Sequence, residues 1–110
     1  MARRPPPVVV NAKARHTATL IFLHGLGDTG HGWAAGMASI RPDFLKIVCP
    51  TAPTIPVTLN SGMHMPAWYD ILTLDETETS KREDINGVLE SSEYLSKLIK
   101  GTIIVPKAEA

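Results

Sequence analysis

Directly after the apolar run Leu20-Ile-Phe-Leu23, the chain carries a histidine and a glycine-rich turn, His24-Gly-Leu-Gly-Asp-Thr-Gly30. Glycines at 25, 27 and 30 let the backbone turn sharply and leave its N–H groups open, as a phosphate or a developing oxyanion requires. Two chemistries compete for the turn. Gly25, Gly27 and Gly30 have the G-x-G-x-x-G spacing of a dinucleotide site, between a strand and a helix. Such a site also wants an acidic residue roughly 20 positions on, at the end of the next strand, to hold the ribose. That strand ends Cys49-Pro-Thr-Ala52, and the Asp28 carboxylate inside the turn would repel a pyrophosphate. The other chemistry is acyl transfer: His24 and Gly25 place the backbone N–H of Leu26 toward the carbonyl oxygen of an acyl substrate, with Gly27 completing the bend. This reading accounts for more of the residues.

The elements that must position the turn follow from periodicity and breakers. A short apolar run ending in glycine predicts an interior strand of a parallel sheet, from Thr17 to about His24. Trp33, Met37 and Ile40 recur on one helical face, and Pro42 ends that helix. Leu45-Lys-Ile-Val-Cys49 is a second strand, closed by Pro50. From Thr51 to Leu74, Pro53, Pro56, Gly62 and Pro66 are too many breakers for a helix, yet the apolar content is too high for a solvated loop, so the segment should cover something. Ser80 and Glu83 have capping-box spacing ahead of a helix whose face is Ile85, Val88, Leu89, Leu95, Leu98 and Ile99. Gly101 fits the residue just past its end. Gly87 inside it marks either a close approach or a weak point. Residues 1–16 read as a flexible or edge-strand lead-in, since three consecutive prolines cannot sit in a central ladder.

Composition narrows the class. The 110 residues are 44% hydrophobic, enough for a core, and 11 basic residues balance 11 acidic ones. That balance gives no electrostatic footprint for nucleic acid or an anionic membrane. No stretch reaches transmembrane length, and three valines are too short for a secretory apolar core. The single Cys49 excludes an internal disulfide and a cysteine zinc site, so a cytoplasmic protein is expected. His16, His31 and His64 lack metal-ligand spacing; neither metal nor cofactor is expected.

With Trp33, Cys49-Pro-Thr-Ala-Pro53, Ile55-Pro-Val-Thr58, Asn60 and Met65-Pro-Ala-Trp-Tyr-Asp70 in order behind it, the turn resembles the N-terminal half of the acyl-protein thioesterase and lysophospholipase-like carboxylesterase family. The resemblance covers about Thr17 to Lys100. It implies an α/β class chain: an α/β-hydrolase-like, truncated three-layer sandwich with a mainly parallel sheet, over residues 17–100, followed by a divergent tail at 101–110. It implies a serine hydrolase acting on fatty-acylated protein or lysophospholipid. Leu26 matches the family's oxyanion amide, supported by His24, Gly25 and Gly27. His24 is expected to orient the turn rather than move protons. The Thr51–Tyr69 segment matches the family's cover over the acyl channel, which makes Leu59, Met63, Met65 and Trp68 candidate acyl contacts. Taken from the residues alone, Trp68 and the methionines fit core and pocket equally.

Two expectations follow from what the sequence does not contain. The family's Gly-x-Ser-x-Gly elbow has no counterpart: Ser39, Ser61, Ser80, Ser91, Ser92 and Ser96 all lack strand–turn–helix context. The order Ser39, Asp43, His64 is coincidental, and Cys49 at a strand end reads as a buried structural thiol. The chain is therefore expected not to turn over substrate alone, or else to serve as a noncatalytic interaction or lipid-binding module. An open sheet edge would favour self-association. Asp28 is read as a helix cap and Asp70 as a turn residue.

Overall fold

The computed structural model describes residues 4–74 and 83–102. At its centre is β3 (Leu45–Cys49), whose Ile47, Val48 and Cys49 are almost wholly inaccessible. β-branched residues buried on both faces are what a middle strand requires. On one side β1 (Val8–Val10) pairs with it antiparallel, Val8 opposite Cys49; on the other β2 (Ala18–Ile21) pairs parallel, Leu20 opposite Ile47. The prolines at 5–7 precede β1, which is an edge strand, so their missing N–H groups cost no ladder bond. Over the described residues the sheet is thus mixed.

The helix α1 (Gly30–Ala38) packs on β1 and β3, but not by the expected face. Gly30 and Ala34 are buried, Met37 is partly so, Trp33 is half exposed, and Ile40 lies beyond the helix and is 82% exposed. Small residues win because the helix runs so close to the sheet that a Cβ at Gly30 would collide with the Cys49 carbonyl. Trp33 instead turns back onto Phe22, ring centroids 5.0 Å apart, and its indole N–H donates to Asp28 at 2.8 Å. Thr29, not Asp28, is the N-cap: its hydroxyl accepts from Gly32 N, while Asp28 accepts from Thr29 N at 2.7 Å.

The segment rich in breakers folds as a β-hairpin, β4 (Thr54–Val57) antiparallel to β5 (Met63–Pro66), joined through a short 3-10 turn at Thr58–Asn60. Prolines at 56 and 66 conceal this in the sequence. In a two-stranded ribbon each strand has a free edge, where a missing N–H breaks no ladder. Ser61 (φ 57°) and Gly62 (φ 80°) make the reversal, and Gly62 N donates to Val57 O at 2.9 Å.

The last helix, α2 (Ile85–Thr102), begins at an unexpected cap. Asp84 accepts from Gly87 N at 3.0 Å, and Ser80 of the expected capping box lies outside the described residues. The helix also runs past Gly101, where Thr102 Oγ1 donates back to Ile99 O, so glycine sits inside the last turn rather than beyond it. Gly87 is a close approach: a Cβ there would run into the Asp84 carboxylate and press on Tyr69. Ile85, Val88, Leu89 and Ile99 are all exposed, and no α2 residue is fully buried. Ser91 Oγ donates to Trp68 O and ties the helix to the body.

Candidate active site

The turn follows β2 within a few residues. Phe22 N extends the ladder to Val48 O at 3.0 Å, and two residues later His24 is only 3% exposed. Its imidazole is held at both nitrogens. Ala52 N–H donates to Nε2 at 2.9 Å, which requires an unprotonated Nε2 and puts the ring proton on Nδ1, 2.7 Å from the Gly25 carbonyl. The ring is a neutral brace with no free nitrogen for proton transfer. Its backbone carbonyl accepts the Trp68 indole N–H at 2.9 Å, and the two rings lie 5.1 Å apart.

Residues 25–28 close as a β-turn, Asp28 N donating to Gly25 O at 3.1 Å. Gly27 stands at the third position with φ +82°, the value a type II turn imposes there and that a side chain resists. Gly27 N is taken by Pro66 O at 2.9 Å. Among the described residues, the first two amides of the turn, Gly25 N–H and Leu26 N–H, have no partner, and Leu26 itself is 42% exposed. Beyond the turn, Gly30 N donates to the buried Thr51 hydroxyl at 2.8 Å, which fixes the start of α1 against the end of β3. An open amide aimed by a rigid turn can stabilise an acyl oxyanion; it can neither attack nor take up a proton.

Of the other expected site residues, Trp68 is half-buried and joined to the turn through His24, and Met65 is half-buried beside Pro66. Leu59 and Met63 lie at the hairpin tip, 37% and 64% exposed. Pro66 pairs with Thr54 at the hairpin base and Met63 with Val57 at its tip, so the strand separates Met63 from the turn by roughly 10 Å. The structure brings His24, Gly25, Gly27 and Trp68 together and leaves Leu59 and Met63 apart from them. Asn60 Nδ2 lies 3.5 Å from Met65 Sδ.

One supporting network escaped the sequence reading. Asp70 accepts from both the backbone N and the hydroxyl of Thr58, at 2.8 and 2.5 Å, while its own N donates to Asp84 at 2.7 Å. Asp84 thus joins the hairpin to α2. An Asp directly before an apolar-periodic run is a recognisable cap, and that signal was present at position 84. Cys49 is fully buried, and burial pushes its thiol above the ordinary range, so it is no nucleophile. Among the described residues, no three His, Cys, Asp or Glu side chains gather as a metal site.

The strand–glycine turn–helix unit on this mixed sheet is part of an α/β-hydrolase fold. The Phospholipase/Carboxylesterase family profile matches residues 5–106, and the chain belongs to that family. It is 50% identical over 109 residues to acyl-protein thioesterase 1 of Neurospora crassa, covering 94% of this chain and 44% of the relative. With acyl-protein thioesterase 1 of Schizosaccharomyces pombe it shares 52% over 94 residues, covering 84% and 40%. Among solved structures, Zea mays acyl-protein thioesterase 2 superposes with TM-score 0.80 at 34% identity, covering 90% of this chain and 41% of that one. Arabidopsis thaliana SOBER1 gives 0.66 at 28%, covering 80% and 42%. The chain spans less than half the length of these relatives.

Proposed function

We propose that this chain carries the oxyanion-hole and acyl-channel part of an acyl-protein thioesterase, a cytoplasmic serine hydrolase releasing fatty acyl groups from protein cysteines or lysophospholipids. The observation that supports it most is the open Leu26 amide on a turn braced by His24 and by Pro66 O. In that reading Leu26 N–H receives the thioester oxygen as it gains charge, and His24, Gly25 and Gly27 hold the turn. Leu59, Met63, Met65 and Trp68 of the hairpin segment line the acyl path. Nucleophile and base have no candidates in these 110 residues, so the chain alone does not form an acyl-enzyme. A fluorophosphonate probe tests this directly. No serine of the purified chain should be labelled, and p-nitrophenyl ester hydrolysis should stay at background; labelling at any serine overturns the reading.

A noncatalytic interaction module is the second reading, favoured by one feature. The outer edge of β2 has no strand beside it among the described residues, and Leu20 and Leu23 near it are exposed. Such an edge takes up another strand, from a second copy or a different chain.

A further inference from the structure

At the end of the sheet opposite the Leu26 turn, the loop at 11–17 lies against the loop at 39–44. Ala14 N donates to Asp43 O at 2.9 Å and Thr17 N to Phe44 O at 3.1 Å. The Arg41 guanidinium spans both loops, donating to Ala38 O at 2.6 Å and to Asn11 O at 3.1 Å. β2 and β3 both start here and run toward the turn, and the ladder from Thr17 to Phe22 alone covers roughly 16 Å of that path.

This end is basic and apolar at once. Lys13 and Arg15 are exposed, Lys46 is half-buried at the start of β3, and none of the three has a carboxylate partner among the described residues. Asp43 is the one acidic residue in the two loops. The charge balance of the whole chain conceals this, because six of its 11 basic residues but two of its 11 acidic ones fall within residues 1–50. Ile40 is 82% exposed, and Phe44, in the turn that Leu45 N closes on Pro42 O, is 46% exposed. Single apolar side chains scattered over a surface are ordinary; two large ones on paired loops beside unpaired cations form a patch. The carbonyls of Ala38, Pro42, Asp43 and Phe44 all accept hydrogen bonds within the fold, so the loop backbone can leave water at little cost.

We propose that this end is a docking surface for an anionic lipid bilayer, with Lys13, Arg15 and Lys46 on the headgroups and Ile40 and Phe44 entering the interface. Each cation near such a surface strengthens binding by about fivefold, and apolar burial adds to that. A chain docked this way holds the Leu26 turn away from the bilayer. The proposal goes beyond the thioesterase reading and needs no turnover, so either can fail without the other.

Co-sedimentation with sucrose-loaded vesicles tests it. Vesicles of phosphatidylcholine and phosphatidylserine at about 7:3 should take up the chain at least about tenfold better than phosphatidylcholine alone, and about 0.5 M salt should remove most of that difference. Lys13→Glu with Arg15→Glu should weaken uptake at least about tenfold, and Ile40→Ser by about threefold, without altering the circular dichroism spectrum. Lys97→Glu with Lys100→Glu makes the same change of charge on α2 and should cost far less. Equal uptake by neutral vesicles, undiminished uptake in either loop variant, or an equal loss in the α2 variant would overturn the proposal. So would retention on polyglutamate beads without vesicle uptake, which would assign the surface to an acidic protein.

Discussion

Gly27 has a conformational demand that Leu26 lacks, and this separates backbone from side-chain roles at the turn. A Cβ at φ +82° is strained even though the space around Gly27 is open. Gly27→Val, introduced into a full-length relative carrying the Gly-x-Ser-x-Gly elbow, should therefore misaim the neighbouring amide. Losing one oxyanion donor lowers kcat by about 10²–10³, read as thioester hydrolysis. Leu26→Ala keeps the amide and should cost far less; an equal loss would assign the effect to side-chain packing. Cys49 gives a second expectation at this scale. Its thiol is raised in the fold, so the unfolded chain ionises first as pH rises. The stabilisation is fully present below the ordinary thiol range and is lost as pH climbs from there toward the folded value. Native protein at neutral pH should resist iodoacetamide until denaturant is added, and chemical denaturation should show weaker stability in alkali; fast native alkylation would contradict the buried placement.

Between elements, the joint at Asp84 matters most, because α2 has no fully buried residue to anchor it. Asp84→Ala removes the cap at Gly87 and the bond from Asp70 N together, costing about 1–2 kcal/mol in denaturant unfolding and lowering helical ellipticity. Asp84→Asn, which keeps an acceptor, should recover part of both. The sequence shows β3 residue for residue, because four apolar positions, interrupted only by Lys46, between Phe44 and Pro50 admit little else. It also shows the strand–turn–helix order at His24. It conceals α1's buried face, since glycine and alanine carry no hydrophobic signal and their contribution is the absence of bulk. The hairpin is hidden too, because proline argues against strands everywhere except at a free edge. At the site, the glycine spacing makes the turn legible, but the Ala52, Pro66 and Trp68 contacts that hold it are tertiary and leave no local pattern.

At the scale of the whole molecule, the described residues extend over 56 × 29 × 27 Å, an elongated body with apolar α2 residues and a strand edge open to water. Exposed surface of this kind draws chains together and leaves a small core carrying the stability. The chain should bind ANS, unfold over a broad transition and elute earlier from size-exclusion columns as concentration rises. A sharp transition from a monomer whose elution does not change with concentration would show the 110 residues to be self-sufficient. The bracing of His24 has a kinetic side as well. Its bonds to Ala52 and Trp68 close over 28 and 44 residues of chain, whereas the hairpin closes over a few. Loops that long are slow to close, so the turn acquires its shape late in folding, after the hairpin that supplies Pro66 O exists. In pulse-labelled refolding, the Gly62 amide would gain protection first and the Gly27 and Ala52 amides afterwards, together, as the hairpin docks.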